Sequence, residues 1–80
     1  MKKIQITIHF TTLVDVKNIK SGDTIEISDE TTMSGLLSIL GIIERHQKYI
    51  VIMRNGEKSN LSAKLKNNDE IKLFLPVGGG

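Results

Sequence analysis

The chain has 80 residues, of which 39% are hydrophobic and 25% charged, which is the composition of one folded domain rather than two domains or a disordered segment. It has no cysteine, which excludes a disulfide framework, a thiolate nucleophile and a thiolate metal site. Its net charge is only +2, and Lys58, Lys64 and Lys66 are followed closely by Asp69 and Glu70, a solvated face rather than the concentrated basic patch of a nucleic-acid binder.

No apolar run approaches the ~20 residues that cross a bilayer, so neither a membrane nor a nucleic acid is an expected partner. Lys2 and Lys3 resemble a basic leader, but Gln5, Thr7 and His9 interrupt the stretch after Lys3 and no secretory apolar region forms, so a cytoplasmic location is expected. Residues 4–10 alternate Ile4, Ile6, Ile8 and Phe10 against Gln5, Thr7 and His9, the period of a strand facing a core on one side. Residues 11–20 carry Leu13, Val14, Val16 and Ile19 and fit either a second strand or a packed turn. Ser21-Gly22-Asp23 is a turn signal, and residues 24–28 read as a strand with Ile25 and Ile27 on one face.

Met33, Leu36, Leu37 and Leu40 then fall at offsets 0, 3, 4 and 7, the apolar stripe of an amphipathic helix. Thr31 or Thr32 caps its start, Asp29 and Glu30 suit its positive dipole end, and Gly41 suits a left-handed C-terminal cap. Gly35 inside the helix suggests close approach of a strand. Residues 42–48 read as a connection with Ile42 or Ile43 tucked inward, and residues 49–54 as a strand. Asn55-Gly56 is the dipeptide of a tight type I′ hairpin, and the polar residues after it leave room for only a short paired strand. Leu61 and Leu65, four apart, suggest a brief helical turn plugging the core. Residues 70–75 form the last strand, with Ile71, Leu73 and Leu75 alternating against Lys72 and Phe74.

Strands and helices do not alternate regularly, so the expected architecture is α+β: one mixed sheet with one main helix across one face, meeting Ile4, Ile6, Ile8, Ile71 and Leu73. Residues 1–75 make that domain. The remainder, Pro76-Val77-Gly78-Gly79-Gly80, has almost nothing to pack. Pro76 cannot continue a strand ladder and three glycines resist ordering, so residues 76–80 are expected to leave the domain as a mobile arm. Its one ionisable group is a terminal carboxylate, and its backbone is thin enough to thread a narrow channel in another protein.

Nothing else in the chain assembles chemistry. His9 and His46, the two histidines, fall short of the four ligands of a structural zinc site. Thr32, Ser34 and Ser38 have no nearby histidine base, and the terminal glycines lack the lysine and helix of a phosphate-binding loop. No metal, no bound cofactor and no nucleophilic catalysis are therefore expected of these residues.

The closing Phe74-Leu75-Pro76-Val77-Gly78-Gly79-Gly80 resembles the Pro-Val-x-Gly-Gly ending of the ThiS/MoaD-type sulfur-carrier proteins, which have the ubiquitin-like β-grasp fold. Asn68-Asp69-Glu70-Ile71 is similar to the family's Gly-Asp-Glu-Ile turn, with Asn68 in place of the glycine. Residues 33–41 resemble its helix. Ile52-Met53-Arg54-Asn55-Gly56 resembles its hairpin, with Arg54 where an apolar residue is commoner.

The resemblance implies a carrier whose terminal carboxylate, on Gly80, is adenylated by an E1-like enzyme that uses ATP and is then converted to a thiocarboxylate. That sulfur passes to a synthase or its large subunit in molybdopterin or tungstopterin synthesis, with thiamin thiazole synthesis or tRNA thiolation as alternatives. Gly79, Gly78, Val77 and Pro76 form the tail in this reading. Phe74, an aromatic on the non-core face of the last strand, resembles a position that contacts the E1-like partner, and Arg54 is a candidate for pairing with an acidic rim there. Candidates beside Phe74 are Pro76 and one face of the strand at residues 49–54, either Ile50 and Ile52 or Tyr49, Val51 and Met53. Two readings compete with the carrier: a β-grasp interaction module without tail chemistry, and a small RNA-binding protein. Only 4% of the residues are aromatic, which is thin support for base stacking in the latter.

Overall fold

A computed structural model describes residues 2–11, 14, 16, 17 and 19–75. The isoleucine alternation at the start produces strand β1, Lys3–Phe10, with Ile4, Ile6 and Ile8 buried. It pairs antiparallel with β2, Asp23–Ser28, placing Ile4 opposite Ile27 and Ile6 opposite Ile25. Between them, the described residues 14, 16, 17 and 19 lie outside any strand. Val14 is buried in the core, and the Lys17 N–H donates to the Leu40 carbonyl at 2.8 Å. Leu13 lies outside the described residues.

Helix α1, Met33–Ile39, buries Met33, Leu36 and Leu37 on the face that periodicity marks. Its cap is Thr32, whose hydroxyl accepts from the Gly35 N–H at 3.1 Å. The other exposed amides of the first turn are taken by the chain after the hairpin: Met33 N–H donates to the Ala63 carbonyl and Ser34 N–H to the Leu61 carbonyl. Asp29 and Glu30 form the turn just before the cap, outside the first helical turn, which holds no acidic residue. One expectation fails here. No strand approaches Gly35, whose missing side chain would meet only Thr31 and Thr32. Gly41 does end the helix with a φ of +86°, and the Lys17 methylenes lie against it where a Cβ would go.

The stretch read as a connection, residues 42–48, contains a second short helix, α2, Glu44–Gln47. Ile42 is the buried isoleucine there, and Ile43 is exposed. Strand β3, Val51–Arg54, and the two-residue β4, Glu57–Lys58, are joined by Asn55 and Gly56 at φ +53° and +86°, the type I′ geometry. Leu61 and Leu65 make no helical turn. Leu65 plugs the core, but from a segment that donates and accepts backbone bonds with the start of α1, including a bridge between Thr32 and Lys64. The i, i+4 spacing there reflects two inward side chains on an irregular chain.

Strand β5, Asp69–Phe74, completes a five-stranded sheet in the order β2-β1-β5-β3-β4. It runs parallel to β1 and antiparallel to β3, so it is hydrogen-bonded on both sides. Asn68 enters it with φ +69°, the left-handed conformation that asparagine tolerates in place of glycine. Ile4, Ile6, Ile8, Ile27, Ile52, Ile71 and Leu73 make the sheet's contribution to the core, and Met33, Leu36, Leu37 and Leu40 the helix's. Each fully buried side chain of this kind stabilises the fold by ~1.5–3 kcal/mol. A mixed sheet with helices packed across one face, in this strand order, is the ubiquitin-like β-grasp fold.

Candidate functional site

Residues 76–80, which hold the tail residues Pro76, Val77, Gly78, Gly79 and Gly80, lie outside the described residues. What is described is the base from which they continue: the end of β5 and Leu75. β5 is the central strand, fixed by ladders to β1 and β3, so that base is one of the best-restrained points of the fold. Its entry is equally well tied. The Asp69 carboxylate, 4% exposed, accepts from the Lys66 N–H at 2.8 Å and from the Asn55 side-chain amide at 2.9 Å. Asn55 in turn accepts from the Glu70 N–H and donates its own N–H to the Glu70 carbonyl, both at 2.8 Å. The hairpin turn is thereby locked onto the start of the last strand, through residues of the Asn68-Asp69-Glu70-Ile71 motif.

Phe74 sits opposite Val51 in the β3–β5 ladder, on the face away from the helix, and is half-buried. The outward set on β3 is therefore Val51 and Met53, while Ile52 is buried. Lys72 lies between Met53 on one side and His9 on the other, and His9 Nε2 is 3.6 Å from a Glu70 carboxylate oxygen. This gives a face with a half-buried apolar pair, Phe74 and Val51, next to a row of charged and polar side chains. An aromatic anchor within a polar rim is the composition of a protein-binding surface.

Arg54 lies on the opposite face. It pairs with Ile71, and two residues before it Ile52 points into the core. Its guanidinium donates to the Lys64 carbonyl at 2.8 Å and lies 3.8 Å from the Asp69 carboxylate. Phe74 and Arg54 are thus not brought together: one belongs to the outer face, the other to the network that holds the hairpin, β5 and residues 61–65 in place. His9 and His46 are not brought together either, since His9 is on the outer face and His46 on α2, which packs against α1. Among the described residues, no group of three metal-ligating side chains occurs, and no helix is long and apolar enough to cross a membrane.

One polar residue has a structural role that sequence reasoning missed. Gln47 is buried, and both polar atoms of its side chain are hydrogen-bonded. Its carbonyl oxygen accepts from the Ser34 hydroxyl at 2.8 Å, and its amide nitrogen donates to the Ser38 hydroxyl and to the Ile42 carbonyl, each at 3.0 Å. Ser34 and Ser38 are the pair that latches α2 to α1. The one signal in the sequence is their i, i+4 spacing beside the apolar stripe.

A family model described as the ThiS family matches residues 10–80. No curated protein matches the chain. Among solved structures, the solution structure of the HVO 2177 protein of Haloferax volcanii superposes with a TM-score of 0.75 at 19% identity, covering 98% of this chain and 88% of that one. SAMP1 from the same organism gives a TM-score of 0.64 at 22% identity, over 99% of this chain and 100% of that one. The complex of subunits 1 and 2 of the molybdopterin-converting factor of Helicobacter pylori contains a chain with a TM-score of 0.55 at 25% identity, covered over 100% of its length by 96% of this one. The fold defines the class of small ubiquitin-like β-grasp proteins. Within it, the chain belongs to the ThiS family, as the match over residues 10–80 shows.

Proposed function

We propose that this chain is a sulfur-carrier protein whose Gly80 carboxyl is the group that is modified, and that it delivers sulfur in molybdopterin or tungstopterin synthesis. A carboxylate is a poor acyl donor because oxide is a poor leaving group. An E1-like partner removes that obstacle: a carboxylate oxygen of Gly80 attacks the α-phosphorus of ATP, pyrophosphate leaves, and the acyl carbon then carries AMP. Hydrosulfide attacks that carbon, AMP departs, and loss of the S–H proton leaves a thiocarboxylate. ATP is the partner's ligand, and this chain is substrate rather than enzyme. In this reading Pro76, Val77, Gly78 and Gly79 form the thread that carries Gly80 into the partner's site. Without side chains on the last three residues, the thread fits a channel that would exclude any other sequence.

The observation that carries the proposal is the continuation of the central, doubly paired strand β5 into Pro76-Val77-Gly78-Gly79-Gly80, in a chain that belongs to the ThiS family. The similarity to a chain of the two-subunit Helicobacter pylori complex supports a synthase large subunit as the sulfur-accepting partner. Phe74, with Val51 beside it, is the proposed contact for the E1-like enzyme. The proposed docking role of Arg54 requires a partner that reaches round to the helix side.

The test is incubation of the pure protein with ATP, a sulfur source and each E1-like enzyme of the source genome, followed by intact mass measurement. The expected result is an ATP-dependent gain equal to exchange of one oxygen for one sulfur, and transfer of that sulfur to a pterin precursor with the large subunit present. Transfer only with a thiazole synthase or a tRNA thiolase would move the protein to those pathways. No mass change with any E1-like enzyme would reject the carrier reading.

A further inference from the structure

On the helix side of the sheet, beside the end of β5, an open groove of about 500 Å³ runs between α2 and the strand ends. Its apolar wall is formed by Val14, Ile42, Ile43, Tyr49, Ile50 and Leu75, and Lys17 and His46 complete it. Three large hydrophobic side chains are strongly exposed among the described residues, and two of them, Ile43 at 47% and Tyr49 at 61%, belong to this groove. Clustered exposure of that kind marks an interaction site, whereas single exposed hydrophobics need no explanation.

The charge around the groove is net positive: Lys17 lines it, and residues 39–50 contain Arg45 and Lys48 against a single acid, Glu44. The Lys48 ammonium lies 5.3 Å from the centre of the Tyr49 ring, which fixes a cation at the rim beside an exposed aromatic. An apolar trough with a cationic margin selects against basic or fully polar segments and favours an aliphatic side chain flanked by carboxylates.

We propose that this groove is a docking site for a short partner segment that carries aliphatic side chains between acidic ones. The aliphatic part lies along Ile42, Ile43 and Ile50, and the flanking carboxylates pair with Arg45 and Lys48 across the rim. The site is separate from the Phe74 face, since Leu75 lines the groove and Phe74 points to the other side of the sheet. A partner bound here leaves the outer face open, so two proteins can hold the carrier at once. The proposal does not depend on chemistry at Gly80.

The experiment is titration of the ¹⁵N-labelled full chain with the synthetic peptide acetyl-Asp-Glu-Leu-Ile-Glu-Asp-amide. Two controls replace the four acidic residues by lysine or the Leu-Ile pair by serine. Amide shifts are expected at Ile42, Ile43, His46, Tyr49, Ile50 and Leu75 with the acidic peptide only. The affinity should weaken by about tenfold in Ile43→Ser and in the Arg45→Glu, Lys48→Glu pair, both at exposed positions that leave the remaining spectrum unchanged. It should also fall as salt is raised from about 0.05 M to about 0.5 M. Equal response to the lysine peptide, or no response to the acidic one at millimolar concentration, overturns the proposal. Two further outcomes overturn it by naming another occupant. Groove shifts that track protein concentration without peptide would mean a second copy. Groove shifts on deleting residues 76–80, with tighter peptide binding, would mean the chain's own terminus.

Discussion

Replacing Gln47 by methionine isolates the latch between the two helices. The two side chains have similar length and volume, so Gln47→Met opens little space and removes three hydrogen bonds, to Ser34, Ser38 and the Ile42 carbonyl. The three acceptors and donors left behind are not equivalent. Ser38 is exposed and Ser34 half-buried, so water replaces most of what they lose. The Ile42 carbonyl bond is buried, and a stranded buried polar group costs about 1–3 kcal/mol. Apolar gain from the methionine offsets part of this, so a net loss of about 2 kcal/mol is expected. That corresponds to a fall in Tm of about 8–16 °C for a domain of this size. Urea and thermal unfolding monitored by circular dichroism measure it, with the denaturant slope unchanged because the surface exposed on unfolding is nearly the same. Adding Ser34→Ala to Gln47→Met should cost little more, since that hydroxyl has already lost its partner. A loss below about 0.5 kcal/mol for Gln47→Met, or full additivity with Ser34→Ala, would refute the argument that these bonds hold α2 in place.

Deleting Gly79 and Gly80 should abolish the ATP-dependent mass change and leave Tm within about 2 °C, because residues 1–75 are expected to form the domain without them. Phe74→Ala should cost about 1 kcal/mol of stability, as the ring is only half-buried, while weakening binding to the E1-like enzyme by tenfold or more in a calorimetric titration. Arg54→Ala should destabilise by about 1–3 kcal/mol, since it leaves the Lys64 carbonyl and the buried Asp69 carboxylate without their cation. Arg54→Lys should recover only part of that, because an ammonium cannot reproduce the fork that serves both groups, and urea melts of the two variants compare them directly.

The parts of the fold that can be read from the sequence are those where one local signal suffices. Met33, Leu36, Leu37 and Leu40 repeat at helical spacing, Ile4, Ile6 and Ile8 alternate, and Asn55-Gly56 demands one turn geometry. Each of these elements lies where its pattern puts it. The misses occur where tertiary contacts decide. Glu44-Arg45-His46-Gln47 has no apolar periodicity, and α2 exists because Gln47 finds Ser34 and Ser38 on α1. Leu61 and Leu65 keep helical spacing in a segment whose backbone is committed to the start of α1. Arg54 illustrates the same limit within the site. Alternation ties it to the face of Ile52, but which face that is depends on burial, and burial puts Arg54 in the Asp69 network rather than beside Phe74. The outward set on β3, which alternation alone leaves open, is settled as Val51 and Met53 for the same reason. The tail, residues 76–80, lies outside the described residues, so its proposed role rests on the Pro76-Val77-Gly78-Gly79-Gly80 motif.

The placement of β5 between a parallel and an antiparallel neighbour also determines how the molecule responds to traction. A load applied at the C-terminus acts along β5, against two ladders that must slip in shear, with many bonds resisting together. The same load on an edge strand such as β2 would open bonds one after another. In the proposed carrier role, an end drawn out of a partner's channel would thus be gripped through the doubly paired strand. In a single-molecule pulling experiment the protein should yield at higher force when drawn from its C-terminus against β1 than when β2 is peeled from the sheet.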